Sequence, residues 1–191
     1  MSALVGVLAL QGDFAAHGKM LRELGAEVRE VRVPADLHGL DGLVIPGGES
    51  TTMTLGIERE GLGEPLRAYA RAGHPVFGTC AGLIMLDRDH LGIMDVLATR
   101  NAFGRQVHSF EEDLRIEGID GPPVRAVFIR APWVAEHGDD VEVLAAVDGH
   151  PIAVQQGNLL AISFHPELGG EPRLHERFLG LIASASAARA G

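Results

Sequence analysis

Three side chains in this sequence could do chemistry together: Cys80, His165 and Glu167. Cys80 is the only cysteine, and it sits in Gly78-Thr79-Cys80-Ala81-Gly82, between an apolar run at Pro75–Phe77 and another at Ala81–Leu86. Small-x-nucleophile-x-small between a strand and a helix is the nucleophile-elbow pattern, here with Cys in place of Ser. So sharp a turn strains the backbone at the nucleophile and crowds its neighbours, so the flanking positions must be tiny. The turn also sets the thiol at the carboxyl edge of a sheet, beside a helix N-terminus whose dipole favours a thiolate. The competing reading is a buried structural cysteine. A cysteine nucleophile needs a base and a group that orients the base. Among nine histidines, His165 follows an apolar run and precedes Pro166, which biases it to extended backbone. Residues i and i+2 of an extended segment face one side, so Glu167 can accept a hydrogen bond from the far ring nitrogen. Attack by Cys80 on an amide carbonyl would create an oxyanion, which needs backbone N–H donors. Ala81, just past the nucleophile, supplies one candidate. Gly48, in the Gly47-Gly48 turn, supplies the other, because glycine lets the backbone approach closely. Taken alone, Pro46-Gly47-Gly48 reads as an ordinary turn.

These residues must be placed by the elements around them. Leu4–Leu10 reads as a central parallel strand, and Phe14–Leu24 as a helix with Asp13 as its cap. Val28–Val33 alternates apolar with charged residues, as a strand nearer a sheet edge does. Gly42–Ile45 is a third strand running into the Gly47-Gly48 turn. Ser50–Arg59 and Glu64–Ala72 read as helices. Strand, helix, strand, strand, helix, strand is α/β grammar, in which active sites collect at the carboxyl ends of the strands. After residue 95 shorter strands are expected over Phe103–Phe110, Val124–Ile129, Val141–Val147, Ile152–Gln156 and Leu159–Phe164. A last helix is expected from Pro172, with a tail that frays from Ser184. The fold class expected is α/β: a single three-layer, flavodoxin-like domain over 1–191, with a mostly parallel central sheet and added antiparallel strands.

Composition limits the possible partners. The chain has 191 residues, 46% of them hydrophobic, enough for a globular core. A net charge of −10 argues against nucleic acid or an anionic membrane as a partner. A lone cysteine suits a reducing, cytoplasmic setting. The opening apolar run lacks a basic region before it and reads as a strand, not a signal peptide. No run is long enough to span a bilayer. No Cys/His cluster has zinc spacing and no glycine-rich loop has a phosphate-binding form, so no metal and no cofactor are expected.

Gly78-Thr79-Cys80-Ala81-Gly82 with a later His165-Pro166-Glu167 resembles the class-I (triad) glutamine amidotransferases. Four further segments are similar to the glutaminase subunit of pyridoxal 5'-phosphate synthase, the PdxT family. They are Gly6–His17, Pro46–Thr52, Phe103-Gly104-Arg105-Gln106 and Phe128–Pro132. The resemblance runs from residue 4 to about residue 182. It implies hydrolysis of L-glutamine to glutamate and ammonia, with the ammonia passed to a synthase subunit. It implies that Gly47, Gly48 and Glu49 line the glutamine site. Arg105 and the Ile129-Arg130 backbone would then hold the amino-acid end of the substrate. An arginine's planar fork suits a carboxylate, although most arginines on strands are surface residues. Gln11–His17 opens the first strand-to-helix connection on the Cys80 face, and Glu49 follows the oxyanion glycines. Gln11, His17 and Glu49 are therefore the expected partner contacts, and the other histidines are expected to be surface or structural. Two other readings stay open: a glutaminase serving a different pathway, and a thiol chaperone or redox sensor on the same fold.

Overall fold

The computed structural model describes residues 2–103 and 109–190. In chain order the elements are strand β1 (Leu4–Leu8), helix α1 (Phe14–Glu23), β2 (Glu27–Val31), β3 (Gly42–Ile45), α2 (Ser50–Arg59), α3 (Gly63–Arg71), β4 (Val76–Thr79) and α4 (Ala81–Leu86). They continue with β5 (Val96–Thr99), β6 (Ser109–Leu114), β7 (Val124–Ile129), β8 (Trp133–His137), β9 (Glu142–Val147), β10 (His150–Gln156), β11 (Leu159–Ile162), α5 (Pro166–Gly169) and α6 (Arg173–Ala190).

Seven strands form one sheet in the order β2-β1-β3-β4-β11-β10-β9. The first five are mutually parallel, and β10 and β9 extend the sheet antiparallel. The parallel part has the 2-1-3-4-5 order of flavodoxin-like sheets. Two antiparallel pairs, β5–β8 and β6–β7, lie outside it.

Strand residues alternate between two apolar clusters, which makes the architecture three-layered. Leu8, Leu43, Ile45, Val76 and Ala161 face one cluster, with Met53 and Ile57 of α2, Leu66 and Tyr69 of α3, and Leu83–Leu86 of α4. Val5, Val7, Val44, Phe77, Leu160 and Ile162 face the other, with Leu21 of α1 and Leu174, Phe178 and Ile182 of α6. A sheet buried on both faces accounts for its nearly continuous apolar strands.

The elbow needs its two glycines for packing. A Cβ on Gly82 would run into the carbonyl oxygen of Ile45, and one on Gly78 would sit 2.7 Å from the carbonyl oxygen of Gly82. The first turn of α4 thus lies directly against the end of β3. Gly82→Ala should lower stability by about 1–3 kcal/mol, because backbone must move to admit the methyl. Thermal unfolding should shift down by about 2–4 °C per kcal/mol for a chain of this size. An unchanged midpoint would mean that α4 docks more loosely than described.

Several elements depart from the sequence expectation. Strand β2 stops at Val31 because the Asp36 carboxylate, in a 3₁₀ turn at Pro34–Leu37, accepts the N–H groups of Arg32 and Val33. The expected strand at Phe103–Phe110 lies partly outside the described residues; β6 begins at Ser109. Strands β5 and β8 have no counterpart in the expectation, since each is short and, among the described residues, pairs only with the other. The tail from Ser184 stays helical to Ala190, carried by alanines of high helix propensity and by buried Ala185. Pro166 opens the short helix α5 rather than extending a strand. No helix among the described residues is long and apolar enough to cross a membrane.

Candidate active site

Cys80 joins β4 to α4 with φ 50° and ψ −107°, a region that side chains other than glycine rarely enter. The elbow strain expected from the sequence is therefore present at Cys80 itself. The thiol is nearly buried at 7% exposure, and its Sγ lies 3.9 Å from the Ile129 carbonyl oxygen.

His165 ends the chain segment that follows β11, the neighbour of β4 in the sheet. Its backbone N–H donates to the Val127 carbonyl, which ties it to β7. Its Nδ1 lies 2.7 Å from Oε1 of Glu167, whose side chain is fully buried. The sequence expectation reached this pair by the wrong route. His165 is extended (φ −109°, ψ 89°), but Glu167 lies in the first turn of α5, so a helical turn brings the carboxylate back to the ring. Burial pushes the His165 imidazole down, yet the bonds and charges of Cys80 and Glu167 outweigh it and hold its pKa up to about 10. The ring is therefore kept as an imidazolium between Cys80 and a carboxylate.

The Gly47-Gly48 turn packs against both. A Cβ on Gly47 would sit 2.5 Å from His165 and 3.3 Å from the Cys80 Cβ, and one on Gly48 would overlap the Gln11 amide nitrogen. Only glycine fits at either place. The Gly47 N–H donates to the Thr79 hydroxyl at 3.1 Å, and Gln11 Nε2 donates to the Glu49 carbonyl at 3.1 Å. The Glu49 side chain turns the other way and caps α2, accepting the N–H groups of Thr51 and Thr52. Those backbone bonds hold its carboxyl down to about 2.

A cleft of about 260 Å³ opens over these groups. Gly48, Glu49, Cys80, Ala81, Ile129, Arg130 and His165 all line it, so most of the expected site residues meet there. Arg105 lies outside the described residues. Asp13, Ser50, Ile84, Arg100, Asn101 and Pro132 also line the cleft and were not expected there. Asp13 was assigned as a helix cap but makes no such bond; its carboxylate stands 3.8 Å from His165 Nδ1. Arg100 is held by bonds to Thr51 and His90, and nothing in its sequence context marked it out. One expectation needs correction. His17 was expected to contact a partner, but its side chain is fully buried beneath the His165–Glu167 pair and presents no surface for docking. Residue i+3 of an amphipathic first turn faced inward, where the sheet, α5 and α6 meet it.

A cysteine at a strained strand-to-helix turn, beside a His–Glu pair at the carboxyl edge of a mostly parallel sheet, is the layout of a triad amide-cleaving enzyme. The sequence model of the SNO glutamine amidotransferase family matches residues 7–184. The pyridoxal 5'-phosphate synthase subunit PdxT of Frankia alni is 53% identical, over 97% of this chain and 98% of its own. The PdxT subunit of Mycobacteroides abscessus is also 53% identical, over 95% and 98%. A crystal structure of a glutamine amidotransferase superimposes with a TM-score of 0.88 at 47% identity, covering 94% of this chain and 98% of that one. PurLQS from Thermotoga maritima shares the fold at 18% identity, with a TM-score of 0.69. The chain belongs to the SNO glutamine amidotransferase family.

Proposed function

We propose that this chain is the glutaminase subunit of a pyridoxal 5'-phosphate synthase, working in the cytoplasm as one domain over 1–191. It would hydrolyse L-glutamine and hand the ammonia to a synthase subunit. The observation that carries the chemistry is the buried His165–Glu167 pair beside the strained Cys80. In this reading the thiolate of Cys80 attacks the side-chain carbonyl carbon of glutamine. The negative oxygen that forms is met by the N–H groups of Gly48 and Ala81. The carbon–nitrogen bond breaks as His165 gives its proton to the departing nitrogen, releasing ammonia and leaving a glutamyl thioester. Water, giving a proton to His165, adds to the thioester; glutamate leaves and the thiol is restored. Glu167 holds the ring in one orientation and steadies its positive form.

The amino-acid end of the substrate would lie toward Glu49, Ile129 and Arg130, with Arg105 supplying a guanidinium. A cleft of about 260 Å³ suits a molecule the size of a single amino acid. The names of the similar proteins support a synthase partner and weigh against a glutaminase of another pathway. The His165–Glu167 pair weighs against a redox sensor, which needs no orienting carboxylate.

The partner would dock on the cleft face, through Gln11 and Glu49. Gln11 is half-buried and holds the Glu49 carbonyl, so pressure there would be felt at Gly48. Titrating the purified chain with purified synthase subunit should raise glutamate release to a plateau at a fixed stoichiometry. Gln11→Ala should blunt that rise. Full activity of the isolated chain, unchanged across the titration, would sink the partner-activated reading.

A further inference from the structure

Behind the triad lies a buried pair of imidazoles that the chemistry above does not use. His17 of α1 and His175 of α6 are both fully buried, with His17 Nδ1 2.8 Å from His175 Nε2. The other nitrogen of His17, Nε2, lies 3.3 Å from Oε2 of Glu167 and 3.1 Å from the Thr79 hydroxyl oxygen. That Glu167 oxygen has no well-aligned donor among the described residues, and the His17 nitrogen is the basic group beside it. Thr79 in turn accepts the Gly47 N–H. A single ring therefore touches both the carboxylate that orients the base and the hydroxyl that ties down the oxyanion turn.

The position of its proton can be argued from the ends of the chain of contacts. Burial, then the nearby His175 and His165, hold the His17 pKa well below its usual value, and burial holds His175 down to about 4. Both rings are neutral at physiological pH, and each carries one N–H. With the proton on His17 Nδ1, the bare Nε2 would face a carboxylate. His175 would then carry its proton on Nδ1, a buried atom with no partner among the described residues. With the proton on His17 Nε2, the N–H donates to the Thr79 hydroxyl and stands 3.3 Å from the Glu167 carboxylate. His175 Nε2–H donates to His17 Nδ1, and the atom left over is only an acceptor. Buried orphan donors are the rarer and costlier fault.

We infer that His17 is a positioning residue for the reaction, its Nε2–H holding Glu167 and Thr79 so that the base and the oxyanion turn keep one geometry. This rests on the glutaminase reading of the site. The substrate does not reach His17, so removing it should leave binding and damage turnover. His17→Leu, assayed in the complex with the synthase subunit, should lower kcat by about tenfold to a hundredfold, as a misplaced supporting group does, with KM changed less than about threefold. His17→Gln keeps an amide N–H on a similar reach and should recover much of that loss. A packing role alone would make both variants lose stability without separating their kcat values. Loss of the wild-type rate would be a failure of the glutaminase reading, not of His17. The wild-type protein offers a second measurement that needs no folded variant. Imidazole ¹⁵N spectra should show His17 neutral with its proton on Nε2, and that resonance should move in Glu167→Gln. A folded His17→Leu with kcat within twofold of wild type, or a His17 proton found on Nδ1, overturns the inference.

Discussion

Cys80→Ala should reduce glutamate release by about a thousandfold or more, the scale on which loss of a covalent nucleophile is felt. Cys80 is the only thiol in the chain, it stands at the one strand-to-helix turn among the described residues whose non-glycine residue has a positive φ, and it lines the cleft with His165 and Gly48. No neighbouring side chain in the cleft can replace it as a nucleophile. Ser50, the only hydroxyl lining the cleft among the described residues, stands at the start of α2, outside the elbow. The fold should survive, because alanine removes one sulfur from a site that is already small and leaves Gly78 and Gly82 in place. Three measurements check this: glutamate release in the complex, thermal unfolding of the variant, and stoichiometric labelling of wild type by a glutamine-mimicking electrophile. A folded Cys80→Ala chain that keeps more than about one per cent of wild-type turnover would show that the thiol is not the nucleophile.

The sequence carried the elbow well because its signal is local. Gly78 and Gly82 are two residues either side of Cys80, and the reason for both is steric. The parallel strands were equally plain, since burial on both faces leaves uninterrupted apolar runs such as Gly42–Ile45. What could not be read was whatever depended on distant segments meeting. Strands β5 and β8 are defined by each other, across a stretch of chain that includes the β6–β7 hairpin. The inward turn of His17 depends on α6 lying beneath α1, and its sequence neighbours Ala16 and Gly18 say nothing of His175. Arg100 and Asn101 reach the cleft only because α2 and the β7 end converge on it. The His165–Glu167 contact was expected correctly on a mistaken geometry. Proline after histidine favours extended backbone at the histidine, but proline is also a favoured first residue of a helix, and the second preference set the position of Glu167.

His165→Asn is expected to lose activity on the scale of Cys80→Ala, and in addition to change how stability depends on pH. Asparagine can approach the Glu167 carboxylate but cannot take up or return a proton, so both halves of the reaction lose their base. The stability effect follows from the raised pKa. Burial lowers it, and Cys80 and Glu167 raise it further, to about 10, against an ordinary value of 6.5. Between those values the folded chain binds a proton that the unfolded chain releases. The contribution is therefore fully present below the unfolded value and is lost as pH rises through the folded one. Wild type should thus lose stability across that alkaline window as His165 gives up its proton. In His165→Asn the alkaline slope should be largely absent. The acid limb supplies an internal control. Burial depresses His175 to about 4, so the folded chain refuses a proton that the unfolded chain accepts. That contribution is present above the unfolded value and is lost as pH falls, with or without His165. Denaturant unfolding measured from pH 4 to 10 separates the two limbs. A variant that retains the wild-type alkaline slope would mean that His165 is not held charged in the folded chain, and the imidazolium that the mechanism places between Cys80 and Glu167 would be lost with it.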